Sequence, residues 1–171
     1  MFKANEYTHG AATALSNAGR LALQMEAYAQ VRQLLDESLA LKRGLGDERG
    51  MAVSLPGLGG VSVATGAYGE AQAQLRQALE LAQKCGDVKL LLEILAGTAA
   101  LAIAEKREED AAFLLAYVLA HKGVVQEVRE QAERLTAKLE HFSAQDFPAV
   151  ELHVPIAEVV AQVAHKAKAM E

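Results

Sequence analysis

The 171-residue sequence predicts an all-α protein made of stacked helical hairpins. Three observations carry that expectation. Hydrophobic residues make up 51% of the chain, and much of that share is Ala and Leu, which favour helix. Aromatic residues are only 5%, Trp is absent and Pro occurs three times, so little interrupts or bulks out the helices. Thirdly, a shift of 40 lays residues 15–47 on 55–87 with nine identities in 33 positions: Leu15, Gly19, Ala27, Tyr28, Leu35, Leu39, Leu41, Gly46 and Asp47 find themselves again. A further shift of 40 keeps Leu95, Ala111, Leu115 and Leu119. A period of that length with helical patterning marks an α-solenoid.

Each unit reads as a helix A followed by a helix B. Unit one has helix A over residues 10–24 and helix B over 28–44. Unit two has 48–64 and 68–85, and unit three has 88–106 and 109–121. Gly46-Asp47 and Gly86-Asp87 punctuate the ends of helices B, because Gly accepts a left-handed cap and Asp caps the next N-terminus. Gly66 closes helix A of unit two in the same way. Pro56 falls inside that helix, where it removes one hydrogen bond, and a long kinked helix is expected. The three hairpins therefore span about 10–46, 47–86 and 87–122, all within 1–122, in one domain.

"VVQEVREQAERLTAKLEHF" places Val125, Val128, Ala132, Leu135, Leu139 and Phe142 on one face, a capping helix over 123–142. Arg129–Glu133 and Glu130–Arg134 are spaced to pair on the other face. Residues 143–154 read as a linker. Pro155 suits the first turn of a last amphipathic helix over 155–170, with Ile156, Val159, Val160, Val163 and Ala167 on its apolar face.

"SLPGLGGVSVATGAYGEA" invites a second reading as a phosphate-cradling loop. The P-loop pattern fails because no Lys follows, and GxGxxG fails because Ser62 stands at the last glycine. No strand precedes the segment, and the repeat aligns "LPGLGG" with the helical "LSNAGR".

Leu55-x-x-x-Gly59, then Ala67-Tyr68-x-x-Ala71, then Leu75 and Leu79, resembles the tetratricopeptide repeat (TPR). Unit one matches with Leu15, Gly19 and Ala27-Tyr28, and has Val31 where the family prefers Ala. Unit three departs, with Ala99 at the Gly and Glu108 at the Tyr. The 40-residue period exceeds the family's usual one and is similar to the extended repeats of large bacterial regulators, of the kind attached to LuxR-type or AAA-type ATPase modules. The resemblance covers about residues 10–140. It implies a right-handed α-solenoid of three hairpins plus the capping and C-terminal helices, with Tyr28 and Tyr68 as packing residues between helices A and B.

The resemblance also implies that helix A side chains line a concave groove. Those are Thr13, Ser16, Asn17, Arg20 and Gln24 in unit one. In unit two they are Val53, Pro56, Gly57, Gly60 and Val63, and in unit three Glu93, Ala96, Ala100, Ile103 and Ala104. Only unit one supplies the Asn and Arg that a carboxylate clamp needs in successive helices, so an apolar channel is expected instead. Helix A of unit three, "KLLLEILAGTAALAIA", is apolar almost all round, which means burial on both faces. An amphipathic helix fits such a channel, whether from residues 155–170 of the same chain, from a second copy as a homodimer, or from a partner protein.

The net charge of −5 and the absence of a Lys/Arg run exclude a nucleic-acid surface. Cys85 stands alone, so no intrachain disulfide forms and a reducing cytoplasm fits. "MFKANEYTHG" has no apolar core of a signal peptide. The apolar run 90–104 is shorter than the roughly 20 residues a membrane helix needs, so no membrane partner is expected. His9, His121, His141, His153 and His165 make no metal-ligand spacing, and Cys85 has no His base beside it. "EKREED" reads as a solvated turn and Cys85 as a half-buried structural thiol. No enzyme, metal or cofactor is expected. The expected function is protein–protein scaffolding, as the C-terminal part of a bacterial signalling or transcriptional regulator. The alternative is a sensor that holds an apolar signal molecule in the same channel.

Overall fold

The computed structural model describes residues 2–24, 27–140, 155–159 and 162, leaving aside the side chains of 2–6 and 20–24. It is all-α, with no strand among the described residues. Among the described residues no helix is long and apolar enough to cross a membrane. The chain divides into two compact units, Met1–Cys85 and Gly86–Glu171.

The first unit contains α1 (Phe2–Gln24), α2 (Tyr28–Leu45), α3 (Glu48–Ala64) and α4 (Tyr68–Cys85). Each helix packs on the next, and α1 also reaches α3. The bounds of α3 and α4 are those the sequence predicts. By contrast, α1 starts eight residues before the expected residue 10. Residues 2–9 hold neither Pro nor Gly, so nothing stops the helix from running back through them. Pro56 lies inside a continuous α3. Having no N–H, it leaves the carbonyl of Ala52 without its helical donor. The core is the stripe Val31, Leu35 and Leu39 of α2, Leu55, Leu58 and Val61 of α3, and Leu75 and Leu79 of α4. Of these, Leu35, Leu39, Leu55, Leu75 and Leu79 recur with the 40-residue period.

The second unit contains α5 (Val88–Ala104), α6 (Glu108–Ala120) and α7 (Gln126–Thr136). Here α5 packs on α6 and on α7, and α6 on α7. The helix expected over 88–106 ends two residues early, and the one expected over 109–121 is displaced by one. α5 is buried round most of its circumference, through Leu90, Leu91, Leu92, Ile94, Leu95, Ala96, Ala99, Leu101 and Ala102, as its composition demands. The capping helix is shorter than the expected 123–142. A turn over 121–124, closed by the Val124 N–H on the His121 carbonyl at 3.1 Å, delays its start. Val128, Ala132 and Leu139 still present a buried face. Glu130 accepts from Gln126 Nε2 at 2.9 Å and not from Arg134. Of the expected last helix only 155–159 and 162 lie within the described residues, and Val159 is fully buried. Phe142 and the linker 143–154 lie outside them.

Helix ends follow the sequence closely. Gly46, Gly66 and Gly86 take φ of 67°, 77° and 65°. The Asp47 N–H closes on the Lys42 carbonyl at 2.9 Å, and the Ala67 N–H on the Ser62 carbonyl at 2.8 Å, the six-residue closure of a Schellman turn. Asp47 caps α3 by accepting from the Gly50 N–H at 2.8 Å, and Asp87 caps α5 by accepting from the Leu90 N–H at 3.1 Å.

Candidate functional site

The strongest concentration of buried polar chemistry is one that the motif search passed over. On α2, Ser38 and Lys42 lie four apart and face inward, 0% and 3% exposed. Ser16 of α1 and Ser54 of α3 meet them, at 5% and 1% exposed. Lys42 Nζ donates to Ser16 Oγ at 2.6 Å and to Ser54 Oγ at 2.8 Å. The Ser38 hydroxyl donates to the Ala12 carbonyl at 2.7 Å, which spends its only proton. Ser16 must therefore donate across the 2.8 Å contact to Ser38, and Ser54 donates across the shorter of its two hydroxyl contacts, to Ser16 at 3.0 Å rather than to Ser38 at 3.5 Å. A directed hydroxyl chain thus ties α1, α2 and α3 together.

Burial pushes the Lys42 amine below its ordinary range, and the negative charge of Asp47 partly restores it. An amine beside serine hydroxyls is the equipment of a lysine-activated nucleophile. Here every member is sealed from solvent, so the arrangement acts on the protein's own helices.

One signal could have found it. Val31, Leu35, Ser38 and Lys42 follow the i+4, i+3, i+4 rhythm of a core stripe, and the repeat sets Ala78 and Ala82 opposite Ser38 and Lys42. A lysine in a core stripe is a buried lysine.

A second polar tie joins α2, α3 and α4. Arg32 donates from Nη1 to Glu70 at 2.9 Å and from Nη2 to Ser62 at 3.3 Å. Ser62 in turn donates to Gln74 Oε1 at 3.0 Å.

The residues expected to line a partner groove fall in both units. In the first, Asn17 and Gly60 are exposed, Val53 is 37% exposed, and Pro56 and Val63 are half-buried. Thr13 is exposed and bonds its own helix, donating to the His9 carbonyl at 3.0 Å. Ser16 is buried in the lysine cluster. The side chains of Arg20 and Gln24 lie outside the described residues. In the second unit Glu93, Ala100 and Ile103 are half-buried, but Ala96 is fully buried, because α5 is enclosed on that side.

Other expectations need adjustment. Cys85 is exposed rather than half-buried, since it ends α4 on its outward side. Tyr28 is half-buried and Tyr68 is 37% exposed, so their packing is partial. "EKREED" is more than a solvated turn: Arg107 bonds Glu105 through Nε at 3.1 Å and Nη2 at 2.7 Å, and Asp110 through Nη1 at 2.7 Å. His9 is exposed and lies 3.5 Å from Asp47. His121 Nδ1 accepts from the Gly123 N–H at 3.0 Å, which fixes the turn before α7. His141, His153 and His165 lie outside the described residues. No cluster of His, Cys, Asp or Glu among the described residues could hold a metal ion. No protein-family model, curated protein or solved structure matches this chain.

Proposed function

We propose that the chain is a helical-repeat interaction module, of the tetratricopeptide kind its sequence resembles, that seats an amphipathic helix on the outward face of α3. One observation carries this reading. The outward face of α3 is apolar and nearly bare of side chains: Val53, Pro56, Gly60 and Val63 succeed one another along it, while Gly57 turns toward Leu35 of α2. A Cβ added at Gly60 would meet nothing within 4 Å. A helix backbone approaches such a surface closely and buries apolar area without displacing bulk. The occupant is an amphipathic helix, either segment 155–170 of a second copy or a helix of a partner protein. The apolar rhythm of that segment shows in its described part, where Val159 is fully buried while Ala157 and Glu158 are exposed. A role inside a larger signalling regulator rests on the resemblance.

Light scattering on the full chain and on a chain ending at Phe147 tests the occupant. A monomeric full chain supports seating of a partner protein's helix. A dimeric full chain with a monomeric truncation supports seating between copies. A labelled 155–170 peptide is then titrated into the truncated chain. Gly60→Leu and Val63→Asp are expected to weaken its binding at least tenfold while helicity is kept. Unchanged binding in both variants, or no binding to the parent, rejects the reading.

A further inference from the structure

The hydroxyl chain around Lys42 is directional, and its proton count selects one state of the amine. Ser38 gives its proton to Ala12, Ser16 gives its proton to Ser38, and Ser54 gives its proton to Ser16. Ser16 and Ser54 then each accept from Nζ. The network offers Nζ two acceptors. A neutral amine has two N–H donors, both matched, and keeps only its lone pair unused; an ammonium has three and leaves a charged N–H without a partner in a site 3% exposed.

Charged neighbours do not close the gap. From the cap between α2 and α3, Asp47 contributes negative charge, but its oxygens serve the Gly50 N–H and His9. Among the described side chains of α1, His9 lies beside Asp47 at this end. Glu48 of α3 faces Lys84 of α4 at 3.6 Å, and Arg43 and Arg49 are exposed.

We propose that Lys42 is a proton-linked latch. As a neutral amine it completes the network that pins α1 to α2 and α3; when it takes up a proton, α1 loosens and the amine reaches water. In the second repeat Ala82 stands at the equivalent place in α4, and in the third the equivalent Lys122 is exposed, so the lysine is buried in the first repeat. The sign follows from linkage. A buried lysine binds its proton less readily in the docked state than in the open one, so protons favour opening. Docking strengthens as pH rises toward the ordinary lysine range near about 10.4, and is weakened as pH falls through the docked-state value.

The test uses the full chain with 13C-methyl alanine, so that Ala12 reports on α1 and Ala78 on α4. Urea titrations at pH 8 and pH 10 are read at both methyls, in the parent and in Lys42→Met. In the parent, the opening constant at Ala12 is expected to rise about tenfold for each pH unit lost within the linked window. In Lys42→Met it is expected to stay level. Parallel pH responses in the two proteins overturn the proposal. Should Lys42→Met not fold, 13C titration of the lysine Cε signals in the parent decides. Lys42 titrating below the exposed Lys84 and Lys122 upholds the latch, and Lys42 titrating together with them overturns it.

Discussion

Gly19 of α1 and Leu35 of α2 are in contact where no larger residue than glycine fits: a Cβ on Gly19 would lie 2.8 Å from Leu35 Cδ2. Leu35 is held from the other side too, because a Cβ on Gly57 of α3 would lie 2.6 Å from its Cδ1. Each methyl of one leucine thus faces a glycine on a different helix. The leucine cannot retreat from one without pressing on the other. Forty residues on, a Cβ on Gly59 would lie 3.0 Å from Leu75 Cγ, so the contact recurs with the repeat. Gly19→Ala and Gly57→Ala are each expected to lower stability by about 1 kcal/mol. Overpacking costs about 1–3 kcal/mol, and better helix propensity returns up to about 1 kcal/mol. Gly59→Ala should cost less, its neighbours being further off. Urea denaturation followed by circular dichroism measures all three.

Gly60 provides the opposite case on the same helix. It is exposed and its Cβ position is open space. Gly60→Ala should therefore raise stability by about 0.5–1 kcal/mol, the ordinary gain for replacing a helical glycine. A loss of stability there would mean that this face of α3 is already covered, and thermal denaturation shows it directly.

These glycines mark how far the sequence could be read. Its 40-residue period identified Gly19 with Gly59 and Leu35 with Leu75, and packing made both pairs contacts. Helix bounds followed where Gly and Asp punctuate, at 46–47 and 86–87. They drifted at residue 10, where no breaker stands. The lysine cluster is not legible because its members on different helices are 12 to 38 residues apart in sequence and belong to no motif. Only folding brings Ser16, Ser38, Lys42 and Ser54 together, although the core rhythm of α2 already placed Lys42 inward. Exposed Cys85 was misjudged because a helix's last residue can face either way.

Lys106 occupies the place of Gly66 in the repeat and takes the same left-handed backbone, φ 60°. The Arg107 N–H closes the turn on the Ala102 carbonyl at 2.8 Å, as Ala67 does on Ser62. An L-residue there costs about 1–2 kcal/mol that glycine avoids. Lys106→Gly should raise stability by about 1 kcal/mol, somewhat offset by the greater freedom of an unfolded glycine. Gly66→Ala should do the reverse by a similar amount. The two melting temperatures, taken under one set of conditions, check both signs.

Asp47 serves more than one neighbour, and variants can separate its duties. Its Oδ1 accepts from the Gly50 N–H at 2.8 Å and caps α3. Its Oδ2 lies 3.5 Å from His9 Nδ1, and its charge favours a protonated Lys42. Asp47→Ala removes the cap and the charge together and is expected to cost about 1 kcal/mol at pH 7, within the range for a lost N-cap. Asp47→Asn keeps a good capping oxygen but drops the charge, so it should recover most of that loss. What Asn does not recover is the electrostatic share. That remainder should shrink as pH rises and Lys42 becomes neutral, because the carboxylate then has no ammonium to oppose. A difference between Asp and Asn that stays constant while the Lys42 Cε signal itself titrates would show that the charge of Asp47 does not act through Lys42.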